Sequence, residues 1–352
     1  MIKARFKKYT LNFKQPSGTS RGILKTKDTW FLILNNGIQT GIGECGMFRG
    51  LSADDRPDFE EKLHWVCKNI DLGLSALLKE TIEFPSIQFG LEMAFQALES
   101  DYPFELFPSK FTEGTDAITI NGLIWMGSER FMKKQISEKL KAGFKCIKMK
   151  IGAIEFEEEL KLLRTIRKDF SAKDIELRVD ANGAFSSDEA LEKLSILSEL
   201  DLHSIEQPIK QGQINEMAKL CELSPLPIAL DEELIGITSN LEKEELLREI
   251  KPQYIILKPT LIGGFSGSNS WIDLAEKQKI GWWVTSALES NIGLNAIAQY
   301  TYQKGTRLPQ GLGTGSLFTN NIDSPLEVLE GSLHYNEKRT WDLRQLNLNH
   351  LE

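Results

Sequence analysis

Six charged side chains stand where a repeating chain would bring them together. Lys148 and Lys150 flank Met149, Asp180 lies in Arg178-Val179-Asp180-Ala181-Asn182, and Glu206 precedes Gln207-Pro208. Asp231 follows Ala229-Leu230, and Lys258 precedes Pro259. From Lys150 onward each stands roughly 25–30 residues from the next, about one strand–helix unit. A lone lysine pair at a strand end is ordinarily solvent-facing, and a lone carboxylate there ordinarily caps the next helix. Charges at five successive strand ends are a different matter. Three converging acids repel one another in a low-dielectric site unless a cation joins them. With water and substrate oxygens they make the hard oxygen shell that suits Mg2+, with Mn2+ as the alternative. The chemistry this permits is proton loss beside a carboxylate, with the resulting enediolate held by cation and lysine. Lys148 and Lys150, two apart on a strand, share one face. Lys150 is the expected base, because a second ammonium and a divalent cation nearby favour its neutral form.

The elements that must position these groups are readable from residue 117 onward. Strands are expected at 117–125, 146–151, 175–181, 203–207, 228–232, 254–258, 281–287 and 308–311. Between them lie amphipathic helices. One spans 155–170, where Phe156, Leu160, Leu163 and Phe170 mark a face. Another spans 186–200, opened by the capping-box pair Ser186 and Glu189. A closed parallel barrel and an open doubly wound sheet both alternate in this way; a barrel gathers its strand ends on one rim. Beyond Phe318 the alternation stops, and the remaining chain is expected to run back to the first domain.

That first domain reads as mixed α+β. Ile2, Ala4 and Phe6 alternate, then Tyr9, Leu11 and Phe13 in the opposite phase, which predicts a strand bulged at Lys7-Lys8. Strands at 29–34 and 38–45 flank Asn36-Gly37, a strong hairpin signal. The glycine-rich stretch 16–22 reads as a mobile loop, 56–70 and 87–100 as helices, and 104–115 as a linker.

Composition narrows the function classes. The chain has 352 residues, a net charge of −8 and 26% charged residues. That length favours two domains, and the charge argues against nucleic acid as partner. No apolar run reaches bilayer length, and the basic N-terminus has no apolar core and cleavage site after it, as a signal peptide would. Cys45, Cys67, Cys146 and Cys221 show no tight spacing, which predicts reduced thiols and a cytoplasmic location. The four histidines, His64, His203, His334 and His350, are scattered, so acid–base chemistry rests on lysine and carboxylate. Trp282-Trp283 reads as packing, and Gly263-Gly264 as a turn or a close approach to a ligand or phosphate.

With these positions in hand, KMK at 148–150, RVDAN at 178–182, IEQP at 205–208, ALDE at 229–232 and LKP at 257–259 resemble the enolase superfamily, muconate-lactonising subgroup. The resemblance implies an α/β fold, a modified (β/α)8 TIM-type barrel with an N-terminal α+β capping domain. The implied boundaries are 1–114 for the cap, 115–318 for the barrel and 319–352 for a segment returning to the cap. It makes Asp180, Glu206 and Asp231 ligands of Mg2+, Lys150 the acid/base, Lys148 its neighbour and Lys258 the lysine of the opposite face. Glu232, directly after the third ligand, and Asn182 are expected to support the ligands. Within the subgroup, residues 286–294 and 311–315 most resemble the o-succinylbenzoate synthase family of menaquinone biosynthesis. The implied reaction is syn elimination of water from 2-succinyl-6-hydroxy-2,4-cyclohexadiene-1-carboxylate. Ser20, Arg21, Ser286 and Leu312 are the expected substrate contacts, with cap loops 19–22 and 46–52 closing the barrel mouth. The open alternatives are an N-succinylamino acid racemase, a cycloisomerase or a dipeptide epimerase. The last carries an Asp-x-Asp pair after strand eight, and no acid occurs here from Gly311 to Ile322. A Schiff-base aldolase would need no acid triad, and a non-catalytic binding protein would lack some member of the set. A small-molecule carboxylate is the expected partner.

Overall fold

The computed structural model describes residues 1–19, 22–102 and 104–346. The chain begins with three antiparallel strands in the order β1-β2-β3: β1 (Lys3–Thr19), β2 (Gly22–Asn35) and β3 (Thr40–Cys45). The ladder between β1 and β2 runs unbroken from Lys3↔Asn35 to Asn12↔Thr26. No bulge therefore sits at Lys7-Lys8; the register shifts later, between Asn12 and Ser17. Most of the stretch read as a loop is also strand, since Ser17 pairs with Leu24 and Thr19 with Gly22. Backbone pairing outweighs the glycine and polar content there. The Asn36-Gly37 turn forms as expected: the Asn36 side chain accepts from Ile38 N at 2.9 Å and Gln39 N at 2.8 Å.

Helices α1 (Phe59–Lys68), α2 (Leu74–Glu80) and α3 (Pro85–Glu99) cover this sheet. Trp30, Leu32 and Leu34 pack with Phe59, Leu63 and Leu91 in its core. Helix α3 comes so close to β3 that a methyl on Gly43 would lie 1.8 Å from the Gly90 carbonyl oxygen. Only glycine fits at that crossing. Helix α2, seven residues long, was too short to show a period.

Strand β4 (Ile118–Thr119) precedes the barrel strands, which are β5 (Gly122–Ile124), β6 (Cys146–Lys150), β7 (Glu176–Asp180), β8 (Ser204–Glu206), β9 (Ile228–Leu230), β10 (Tyr254–Leu257) and β11 (Gly281–Val284). Between and after them run α4 (Glu129–Lys141), α5 (Phe156–Asp169), α6 (Ser187–Ser198), α7 (Ile214–Leu223), α8 (Asn240–Ile250), α9 (Pro259–Ile262), α10 (Gly264–Lys277) and α11 (Asn291–Lys304). Helix α6 opens with the capping box of Ser186 and Glu189. Strands β5 to β11 form one parallel sheet in sequence order. The eighth strand expected at 308–311 is reduced to two bridges, Ile120↔Gln310 and Thr285↔Gly311, both parallel. Four backbone bonds close the ring there: Gln310 N to Thr119 O, Asn121 N to Gln310 O, Gly311 N to Val284 O and Ser286 N to Gly311 O. This is a modified TIM barrel with a capping domain, not an open sheet.

After the barrel, β12 (Leu326–Leu329) and β13 (Ser332–Tyr335) pair with each other, and β13 pairs with β4. The segment before them lies along β1: Lys14 N donates to Leu317 O and Thr319 N to Asn12 O, both at 2.8 Å. Two buried cap glutamates meet barrel helices end-on. Glu44 accepts from Ser290 N and Gly293 N at the start of α11, both at 2.9 Å. Glu92 accepts from Phe265 N at 2.5 Å and Ser266 N at 3.0 Å at the start of α10. Each carboxylate meets the positive end of a helix and fills its orphan donors. Among the described residues, no helix is long and apolar enough to cross a membrane.

Candidate active site

The chemistry-bearing residues lie at the C-terminal ends of consecutive parallel strands. Register pairs Lys150 with Asp180 and Asp180 with Glu206. Asp231 and Lys258 each follow the last residue of β9 and β10. Because side chains alternate along a strand, Lys148 and Lys150 both point into the barrel mouth with the acids. Lys148 Nζ donates to Glu206 Oε2 at 2.7 Å and reaches Asp180 Oδ2 at 3.4 Å. Lys150 Nζ donates to the same Asp180 oxygen at 2.8 Å and to Asn182 Oδ1 at 2.6 Å. On the other side, Lys258 Nζ lies 2.5 Å from Asp231 Oδ2. The three carboxylates are almost wholly enclosed.

Burial and charge compete across the cluster. Burial pulls Lys148 down, but Glu206 and Asp180 outweigh it and hold the lysine above its ordinary value. Burial likewise works against Lys258, and Asp231 and Glu232 raise it. Burial pushes Asp180 up, yet Lys150 and Lys148 keep it well below the usual carboxylate range. Glu206 is different: burial drives it up to about 7, with Asp180 and Asp231 adding to the push and Lys148 opposing it. Burial raises Asp231 also, against Lys258.

Among the described residues, no three acid, histidine or cysteine side chains already stand as a metal cage. Instead each ammonium rests on a carboxylate oxygen. The donor set nonetheless fits a hard cation. Its members are all oxygens, and Glu206 Oε1 is buried with no hydrogen-bond partner. A buried, orphaned carboxylate oxygen is costly unless something binds it.

A second layer holds these groups. Asn182 passes the contact on, donating to Glu232 Oε1 at 3.0 Å, while its backbone N–H donates to Asp180 Oδ1 at 3.0 Å. Gln207, which sequence reasoning missed, is fully buried and accepts from Asp231 N and Glu233 N at 3.2 and 3.3 Å. Its own amide donates to Glu233 Oε2 at 2.9 Å. Asn182, Gln207 and Leu288 adopt left-handed backbone with φ of 44°, 38° and 64°. Such strain persists where the surroundings over-determine it, as at the rim of a site. The glutamine of IEQP was the available signal for this role.

Above the charges lies a cavity of about 390 Å3. Lys148, Lys150, Asp180 and Lys258 form its floor; Leu123, Trp125, Phe131, Leu288 and Leu317 wall it with apolar surface. From the cap come Lys14, Leu24, Phe48 and Leu51. The expected substrate contacts fare unevenly. Ser286 lines the cavity, but its hydroxyl donates to Glu289 Oε2 at 2.5 Å and accepts from Leu288 N at 3.0 Å, so it serves the loop. Leu312 does not reach the cavity: its side chain is fully buried in the main core, while Gly311 and Gly313 on either side line the space. Residue alternation turns it away. Ser20 and Arg21 lie outside the described residues. Arg49 of the second cap loop turns aside to Asp55, at 2.5 Å.

A family model described as Enolase C-terminal domain-like matches residues 132–339. The o-succinylbenzoate synthase of Desulfotalea psychrophila is 45% identical over 359 residues, covering 93% of this chain and 97% of its own. The crystal structure of MenC from the same organism superposes with a TM-score of 0.84 at 42% identity, covering 95% of this chain and 99% of that one. A dipeptide epimerase from Enterococcus faecalis, complexed with Mg and the dipeptide L-Leu-L-Tyr, matches with a TM-score of 0.81 at 18% identity. It covers 94% of this chain and 96% of that one, a likeness of fold alone.

Proposed function

The chain belongs to the enolase C-terminal domain-like family, and from that membership we propose that it dehydrates 2-succinyl-6-hydroxy-2,4-cyclohexadiene-1-carboxylate to 2-succinylbenzoate. It acts as a hydro-lyase, the activity carried by the relative's name and by 45% identity across nearly the whole of both chains. The observation that supports this reading best is the pair of lysines approaching a buried carboxylate cluster from two sides, under a cavity with an apolar wall.

Asp180, Glu206 and Asp231 would hold Mg2+. When bound, the ion neutralises the three acids and draws off charge from the substrate carboxylate as the neighbouring carbon loses its proton. The chain's own residues do the rest. Lys150 Nζ, held by Asp180 and Asn182, takes the proton from the carbon bearing the carboxylate. The C–O bond then breaks on the same face, and that proton leaves with the hydroxyl as water. One lysine serving as base and then acid accounts for a syn elimination. Lys258 faces the developing negative charge from the other side, its positive charge secured by Asp231. Lys148 keeps Asp180 and Glu206 in place. Trp125, Phe131 and Leu288 offer apolar surface to a ring that becomes aromatic. Lys14, Lys134 and Lys139 also line the cavity, together with Glu138, which pairs with Lys134 at 3.7 Å. The unpaired cysteines fit a cytoplasmic enzyme.

The deciding assay follows appearance of 2-succinylbenzoate with Mg2+, with EDTA, and with Mg2+ restored, beside racemisation of N-succinylamino acids. The expected outcome is fast dehydration that EDTA abolishes and Mg2+ restores, with racemisation slower. Racemisation without dehydration would assign the site to the racemase alternative instead.

A further inference from the structure

Behind the rim, outside the cavity, Lys27 of β2 is buried with 6% of its surface exposed, and its ammonium has no hydrogen-bond partner. Two fully buried glutamates face it, Glu289 and Glu44, and their charges oppose the burial that lowers the lysine from its ordinary value. Neither needs it for hydrogen bonding. Glu44 accepts from Thr29 Oγ1 at 2.9 Å, Ser290 Oγ at 2.5 Å, and Ser290 N and Gly293 N. Glu289 accepts from Thr260 Oγ1, Ser286 Oγ and Ala287 N. Both side chains border Gly293: a methyl there would lie 2.8 Å from Glu44 Oε2 and 2.9 Å from Glu289 Cγ. What Lys27 supplies is charge, placed where two like charges meet in a low-dielectric seam.

The contacts of Glu289 lead to the reacting groups. Thr260 stands two residues after Lys258, and Ser286 lines the cavity. Gly46 of the cap fits between them: a methyl there would lie 3.2 Å from Lys27 Nζ, 3.3 Å from Thr260 Cγ2 and 3.5 Å from Glu289 Cγ. Cap strand, cap loop and two barrel loops therefore meet at one point.

We propose that Lys27 is a positioning residue for Lys258, acting from the cap through Glu289 and Thr260. Without the ammonium, Glu44 and Glu289 repel, the loop that follows β11 spreads, and Thr260 carries Lys258 off its place over the carboxylates. The inference rests on Lys258 being a lysine of the reacting site. It makes the cap an electrostatic part of the catalytic geometry as well as a cover for the pocket.

The test measures dehydration kinetics and thermal melting for Lys27→Met, Lys27→Arg, Thr260→Val and the Lys27→Met/Thr260→Val double variant, beside Lys258→Met. Lys27→Met should lower kcat about tenfold with KM within about twofold, the signature of a misplaced group. Lys27→Arg, which keeps the charge, should retain at least about half of kcat. Thr260→Val should fall similarly, and the double variant should be no worse than its poorer parent, as expected for residues on one path. Folded Lys27→Met with kcat within twofold of the parent protein overturns the proposal. So does equal loss in Lys27→Met and Lys27→Arg. If Lys27→Met does not fold, unchanged kcat in Thr260→Val overturns it. An active Lys258→Met would instead sink the reading of Lys258, whatever the Lys27 variants do.

Discussion

Glu206→Gln is the sharpest probe of the carboxylate cluster, because it changes one charge and almost no volume. Glu206 is fully buried, offers Oε2 to Lys148 at 2.7 Å and leaves Oε1 with no partner. An incoming Mg2+ should find that oxygen ready, and binding to the fold alone stabilises it by mass action. At one hundred times its dissociation constant, the ion contributes about 2.7 kcal/mol. A chain of 352 residues unfolds with about 0.7 kcal/mol per degree of entropy, so the midpoint should rise by about 4 °C. The amide of glutamine would present either a neutral oxygen or an N–H to the ion. A hundredfold loss of affinity at the same Mg2+ concentration leaves only about 0.4 kcal/mol, a shift of less than about 1 °C. The assay is thermal melting in EDTA and across a Mg2+ series, for parent and variant. Two results would refute the reasoning: a parent midpoint indifferent to Mg2+, or a Glu206→Gln protein that responds as strongly as its parent.

Three further outcomes follow from single contacts. Lys150→Met should lower kcat for dehydration by about 10^2–10^4, the usual worth of a positioned acid–base group, while keeping the Mg2+-induced melting shift; turnover near the parent rate would show that another group takes the proton. Burial drives Glu159 up to about 7, against the pull of Gly152 N and Ala153 N. Its ionisation penalty is thus absent below the unfolded carboxylate range and complete above about 7. Relative to Glu159→Gln, the parent should lose about 3 kcal/mol of stability between pH 4.5 and 8, and parallel urea-unfolding profiles for the two proteins would contradict this. Glu92→Ala strips Phe265 N and Ser266 N of their acceptor inside a buried seam. That should cost about 2–4 kcal/mol, read as a lower melting midpoint, and an unchanged midpoint would mean that water or another group serves those donors.

What could be read in advance follows physical rules of unequal reach. The positions of Asp180, Glu206, Asp231, Lys150 and Lys258 were legible because a βα unit has a nearly fixed length and each charge interrupts an apolar strand at its end. The capping box of α6 was legible for the same local reason. The eighth strand was harder, since Gln310 and Gly311 hold the ring closed with four bonds and no ladder of their own. The β1–β2 ribbon was misjudged because its far end is held by backbone pairing, which composition does not report. Of the expected contacts, Leu312 misses the cavity and Ser286 lines it. One is turned to the core between two glycines, and the other spends its hydroxyl inside its own loop.

The least legible feature is also what makes one machine of two parts. Glu44 and Glu92 are glutamates in a strand and a helix, and nothing near them in the chain distinguishes them from surface acids. Their partners lie 246 and 173 residues away, at the first turns of α11 and α10. A carboxylate buried on a helix N-terminus is stabilised only while that helix keeps its place, and the helix donors are satisfied only while the carboxylate stays. Cap and barrel therefore depend on each other for polar groups that neither can satisfy alone. Glu44 is the link between this docking and the chemistry: the side chain that caps α11 also faces Lys27, and Lys27 faces Glu289, whose contacts end at Thr260 and Ser286. A cap that shifted would therefore disturb both the helix capping and the contacts that lead to Lys258.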